Sequence, residues 1–91
     1  MELTKLQRLG ISSLLIQYRY HGNAWLRSGT ISFTKNEHGK YISMWVTSNE
    51  RDIRLNFTLE LSENIDLSIS YYFEYDNEYD MFRIYELGGE A

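Results

Sequence analysis

The feature that most constrains this chain is a strict alternation in its middle. Ile53, Leu55, Phe57, Leu59 and Leu61 alternate with Arg54, Asn56, Thr58 and Glu60; Ile65, Leu67, Ile69, Tyr71, Phe73 and Tyr75 then alternate with Asp66, Ser68, Ser70, Tyr72, Glu74 and Asp76. Successive side chains of a strand point to opposite faces, so a sustained period of two marks a strand with one buried and one wet face. The polar link Ser62-Glu63-Asn64 predicts that 53–61 and 65–75 form a hairpin. Leu55, Phe57, Leu59, Leu67, Ile69 and Phe73 are then expected in the core.

Shorter alternations predict strands over 25–35, 40–48 and 81–87. Ile31 and Phe33 oppose Thr30, Ser32 and Thr34, and Ile42, Met44 and Val46 oppose Tyr41, Ser43, Trp45 and Thr47. Turns are expected at His21-Gly22-Asn23-Ala24, Asn36-Glu37-His38-Gly39, Asn49-Glu50-Arg51-Asp52 and Asp76-Asn77-Glu78-Tyr79-Asp80. Residues 2–9 are good helix formers ending at Gly10, a residue suited to the position just past a helix. Ile11, Leu14, Leu15 and Tyr18 also recur at helical spacing, but Ile16, Tyr18 and Tyr20 alternate with Gln17, Arg19 and His21. The reading adopted is a short helix over 2–9 followed by a strand over 13–20. The last residues, 88–91, are expected to fray.

None of the connections is long enough for a crossover helix, so the strands are expected to run antiparallel. The prediction is one mainly β domain over 1–91, an antiparallel meander of five or six strands. Its sheet is expected to be strongly curled or closed into a small barrel, with a short N-terminal helix over one open face.

The chain of 91 residues has no Cys, which excludes a disulfide framework and a thiolate metal site. The Leu14-Leu15-Ile16 run is too short for a signal segment and nothing approaches a membrane span, so a cytoplasmic protein without membrane contact is expected. The two histidines, His21 and His38, fall in turns with no nucleophile-elbow pattern around them. The carboxylates Glu60, Asp66 and Glu74 sit where alternation calls for the wet face, with little reason for a raised pKa. No catalytic residue is assigned and no enzyme is expected. Asp76, Glu78 and Asp80 are spaced like the opening of a calcium loop. Met81 then stands where that loop needs Gly, and Leu87 where it needs Glu, so neither metal nor cofactor is expected.

Charge divides the chain. Residues 1–59 hold eight Lys or Arg against four acids, net +4, whereas residues 60–91 hold Arg83 against nine acids, net -8. Such asymmetry bears on partners and on steering. In the acidic half, Tyr72, Glu74, Asp76, Glu78, Tyr79 and Asp80 interleave rings with carboxylates. Rings supply rigid contact area and carboxylates steer a basic partner. One such partner is a protein that binds nucleic acid, whose phosphate sites regularly spaced carboxylates can occupy. The expected function is therefore a non-enzymatic protein-binding module. Its small size, acidity and compact sheet are shared with many phage- or plasmid-encoded inhibitors, a likeness of composition and fold level.

Two alternatives stand beside it. In the basic half, Arg27, Lys40, Tyr41, Trp45 and Arg54 combine cations with stacking platforms, as in single-stranded nucleic-acid binding. The overall charge of -4 works against a phosphate ligand. The other alternative is a structural subunit that supplies sheet edges to a homo-oligomer.

Overall fold

The structure, a computed structural model, describes residues 1–60 and 64–87. One helix, α1 (Lys5–Tyr20), is followed by five strands: β1 (Ser28–Lys35), β2 (Tyr41–Ser48), β3 (Arg54–Glu60), β4 (Tyr71–Asp76) and β5 (Met81–Glu86). All pair antiparallel in one sheet of order β3-β2-β1-β4-β5. The mainly β class, the antiparallel strands and the N-terminal helix are as expected. The sheet is not closed: β3 and β5 are its two edges.

The helix is longer than expected and replaces the strand foreseen over 13–20. Its start is fixed by a capping box. Thr4 Oγ1 accepts from the Gln7 N–H at 3.0 Å, and Gln7 Oε1 accepts from the Thr4 N–H at 3.0 Å. Gly10 lies inside the helix and does not end it. A mid-helix Gly costs about 1 kcal/mol relative to Ala, and burying Ile11 and Leu15 at 3% and 0% exposure outweighs that. The alternation of Ile16, Tyr18 and Tyr20 marks no single face of the helix: residues two apart lie about 200° around its axis, and Tyr20 is 71% exposed.

The foreseen hairpin of 53–61 with 65–75 does not form. β3 pairs with β2, with Phe57 opposite Met44, and β4 pairs with β1, with Phe73 opposite Gly29. Residues 64–70 contain no strand. There Asp66 Oδ1 accepts from the N–H and the hydroxyl of Ser68, a local turn that competes with extended pairing. The expected turn at Ser62 and Glu63, the end of the strand at Leu61 and the fraying of 88–91 lie outside the described residues. Gly29 explains why β4 fits beside β1. A Cβ there would stand 2.9 Å from the Phe73 ring and 2.0 Å from the Thr47 carbonyl oxygen.

The core lies between α1 and one face of the sheet. Leu15, Ile31, Met44, Val46, Tyr71 and Phe73 are fully buried, and Phe82 nearly so. The Tyr71 hydroxyl, buried with its ring, accepts from the Leu3 N–H at 2.8 Å, which satisfies the polar tip of an otherwise apolar side chain. Of the residues expected in the core, Phe73 is fully buried. Leu55, Phe57, Leu59, Leu67 and Ile69 are only half-buried, because β3 is an edge strand and 64–70 is a connection. No helix among the described residues is long and apolar enough to cross a membrane.

Candidate protein-binding surface

With α1 on one face, the other face of the sheet is left uncovered by the described residues. The registers align Arg54, Thr47, Thr30, Tyr72 and Tyr85 in one row across all five strands. A second row runs Asn56, Trp45, Ser32. Glu74 sits between Ser28 on β1 and Arg83 on β5. The face therefore presents hydroxyls and rings, with carboxylates at its β4–β5 end. Tyr72 is half-buried between Thr30 and Tyr85, and Tyr85 is 48% exposed. Sequence reasoning passed over Tyr85. The alternation of Phe82 and Ile84 with Arg83 and Tyr85 contained the signal.

The β4–β5 turn is tied at two points. Asp76 Oδ2 accepts from Arg83 Nε and Nη2, each at 3.0 Å. Its other oxygen accepts from the backbone N–H groups of Glu78 and Tyr79 at 3.0 and 3.3 Å. Partial desolvation works to raise the pKa of Asp76, but the bonds from Arg83 and from those two N–H groups outweigh it and hold the carboxyl below its usual value. Asp80 has a positive φ of 52°, and its carboxylate accepts from the hydroxyls of Tyr20 and Tyr75. Those two bonds hold its pKa low. Asp76 and Asp80 thus shape the turn. Glu74 and Glu78 project from it, and no described ion pair engages either of them. Tyr79 is 64% exposed, with the Arg83 guanidinium 5.5 Å from its ring.

No protein-family model, curated protein or solved structure matches this chain. The functional reading therefore rests on the geometry.

The basic residues singled out from the sequence are only partly brought together. Tyr41, Trp45 and Arg54 share the uncovered face, and Lys40 adjoins them in the β1–β2 connection. Arg27 is elsewhere, 5.9 Å from the ring of Tyr75 on the helix-covered side. Trp45 is half-buried: Arg54 lies 4.2 Å from its ring, and its indole N–H donates to Thr34 Oγ1 at 3.0 Å. A base would have to displace that guanidinium before stacking on the same side of the indole.

At the C-terminal end of α1, a cleft of about 390 Å³ is lined by Ile16, Arg19, Tyr20, Tyr75 and Asp80, among others. Arg19 stacks 3.8 Å from the Tyr75 ring and donates to the carbonyls of Ala24 and Leu26 at 2.8 and 2.6 Å. The arrangement locks the helix end to the β4–β5 hairpin. Both histidines are exposed, and among the described residues no group of three His, Asp or Glu could hold a metal.

Proposed function

We propose that this chain is a non-enzymatic, cytoplasmic protein-binding module. It engages a basic protein through the β4–β5 end of its uncovered sheet face, with Tyr72, Tyr79 and Tyr85 as contact rings and Glu74 and Glu78 as steering charges. The observation that carries the reading is the division of labour in the turn: Asp76 and Asp80 are held by internal partners, which leaves Glu74 and Glu78 displayed on a braced scaffold. A rigid hairpin presenting rings and carboxylates outside any described ion pair loses little freedom on binding, and its charges raise the association rate with a cationic surface. A nucleic-acid-binding protein is the partner whose chemistry fits best, and blocking its phosphate sites would make this chain an inhibitor.

The test is site-specific photo-crosslinking from position 72 in a cell extract, with captured protein and captured nucleic acid both read out. A basic protein is expected. Against it, Glu74→Gln with Glu78→Gln should slow association, and the slowing should shrink as salt rises, because exposed charges are screened beyond about 8 Å at physiological ionic strength. Capture of single-stranded nucleic acid, with binding weakened by replacing Lys40 and Arg54, would transfer the function to the basic side of the face.

A further inference from the structure

The two edges of the sheet are finished differently. At β5 the helix covers the edge: the Phe82 N–H donates to Ser12 Oγ at 2.8 Å, and the Ile84 carbonyl accepts from the Arg8 guanidinium. Among the described residues, β3 has no such cover. The Ser48 N–H donates to the Ile53 carbonyl at 3.1 Å. Bonded pairs alternate along an antiparallel ladder, so Leu55, Phe57 and Leu59 exchange bonds with Val46, Met44 and Ile42. The N–H and C=O groups of Arg54, Asn56, Thr58 and Glu60 therefore point away from the sheet. Among the described residues, no hydrogen bond reaches them from outside β3. An exposed edge of this kind is a template for another strand.

We propose that this edge pairs with the same edge of a second copy of the chain, antiparallel about a twofold axis at Phe57. The sequence of β3 is self-complementary about that residue. Arg54 then faces Glu60 of the second copy, Asn56 faces its Thr58, Leu55 faces its Leu59, and Phe57 meets its counterpart. Charges meet opposite charges on the outer face, and apolar side chains meet apolar ones on the core face. Phe57 falls at a position that does not bond across the new ladder, where facing side chains approach most closely. Other registers lose the match. An axis at Asn56 sets Glu60 against Asp52, and an axis between two residues pairs core-facing with outward-facing side chains. Pairing also covers apolar surface that the single chain leaves open. Leu55, Phe57 and Leu59 are half-buried, and beside Leu59 a groove of about 580 Å³ is lined by Leu6, Leu9, Leu14 and Ile65. Such a contact is isologous and closes as a dimer. It gives one continuous sheet with the two β4–β5 surfaces at opposite ends, so it stands independently of what those surfaces bind.

Sedimentation of the full chain over a concentration series should show a species of twice the 10.9 kDa chain mass. Arg54→Glu and Glu60→Arg each set like charges face to face twice, so each should raise the dimer dissociation constant about tenfold. An equimolar mixture of these two variants should recover the dimer, because every charged pair is then opposite again. Thr58→Pro removes an outward-pointing N–H while leaving the bonds between β2 and β3, and it should give a monomer. Circular dichroism checks that each variant is folded; if Thr58→Pro is not, the mixing experiment decides alone. A wild-type chain that stays monomeric throughout overturns the proposal. So does a dimer indifferent to either charge reversal, or a mixture of the reversed variants that does not reassociate.

Discussion

The β4–β5 side of the sheet and the β2–β3 side are built from the same alternating pattern but end in different states. On the first, α1 lies close, Tyr71, Phe73 and Phe82 are at most 1% exposed, and the outer edge is bonded by Ser12 and Arg8. On the second, Leu55, Phe57 and Leu59 are half-buried and the edge carries unused backbone groups. A single 16-residue helix cannot cover five strands equally. Where it sits decides which side holds the fold together and which remains available for association. The aromatic contacts follow the same division. Phe82 packs against both Phe73 and Tyr75, with centroid spacings of 5.5 and 5.4 Å. Among the described residues, Phe57 has one ring contact, a T-shaped one with Tyr18 at 6.3 Å.

The contrast predicts unequal penalties for the same substitution. Phe73→Ala should destabilise the chain by about 3–5 kcal/mol, the range for truncating a fully buried ring. Phe57→Ala should cost about 1–2 kcal/mol at low concentration, since only part of its area leaves water in the single chain. Urea unfolding, with midpoint and slope both recorded, measures the two. Equal losses would erase the distinction between the sides. At high protein concentration the loss at Phe57 should grow, because the ring also lies on the proposed twofold axis.

The next effect concerns the covered edge. Ser12 is buried, and its hydroxyl is the partner of the Phe82 N–H. Ser12→Ala leaves that donor unpaired in a dry setting and should cost about 1–3 kcal/mol. Amide exchange at Phe82 should accelerate more than at Phe73, whose strand lies inside the sheet. An unchanged Phe82 exchange rate would show that the helix does not guard the edge.

How much of this was legible in the sequence depends on the range of the interaction. The alternation placed β2, β5 and the start of β3 to within a residue or two, and it assigned the faces of β1 and β4 correctly, with Tyr71 and Phe73 inward and Tyr72 and Glu74 outward. The helix start was also written locally, in Thr4 and Gln7 at capping-box spacing. That capping box is a stronger local signal than the break Gly10 suggests, and the helix runs through Gly10 to Tyr20. The order of the strands was not legible, because it turns on Phe73 meeting Gly29 across 44 positions of sequence. The same limit applies at the surface. Tyr72, Glu74 and Asp76 share a face as expected from their spacing, and the Asp76–Arg83 bond is local to the hairpin. The bond between Asp80 and Tyr20 joins residues 60 apart, and no periodicity announces it.

Gly10 offers a smaller effect of opposite sign. It lies on the exposed side of α1, and a Cβ there would meet nothing within 4 Å. Gly10→Ala should therefore stabilise the chain by about 0.5–1 kcal/mol through helix propensity and the reduced freedom of the unfolded chain. A rise in the thermal midpoint with unchanged circular dichroism is the expected result. Destabilisation would mean that the backbone at Gly10 is needed close to another surface, and the groove beside it would then be the place to look.

The smallest effect is a pH dependence at the point where the helix end is tied to the better-packed side. Asp80 accepts hydrogen bonds from Tyr20 and Tyr75, and those bonds lower its pKa in the folded chain. The two phenols shift the other way, raised first by their bonds to Asp80. A carboxyl whose folded pKa is depressed contributes stability above its unfolded pKa of about 3.9, and that contribution is lost as pH falls through the folded value. A phenol whose folded pKa is raised contributes below its unfolded value of about 10, and that contribution is lost as pH rises through the folded one. The cluster should therefore favour the fold across the neutral range and weaken at both extremes. Asp80 and Tyr20 are exposed and Tyr75 is only half-buried, so the dependence should be shallow and should flatten further in salt. Carboxyl titration followed by NMR should place Asp80 below the ordinary aspartate value. Tyr20→Phe and Tyr75→Phe should each move it part of the way back, and the double variant further, with the Arg19 charge still favouring the carboxylate. An Asp80 midpoint that ignores both substitutions would show that the tie between helix and hairpin is made by Arg19 on Tyr75 and not by the carboxylate.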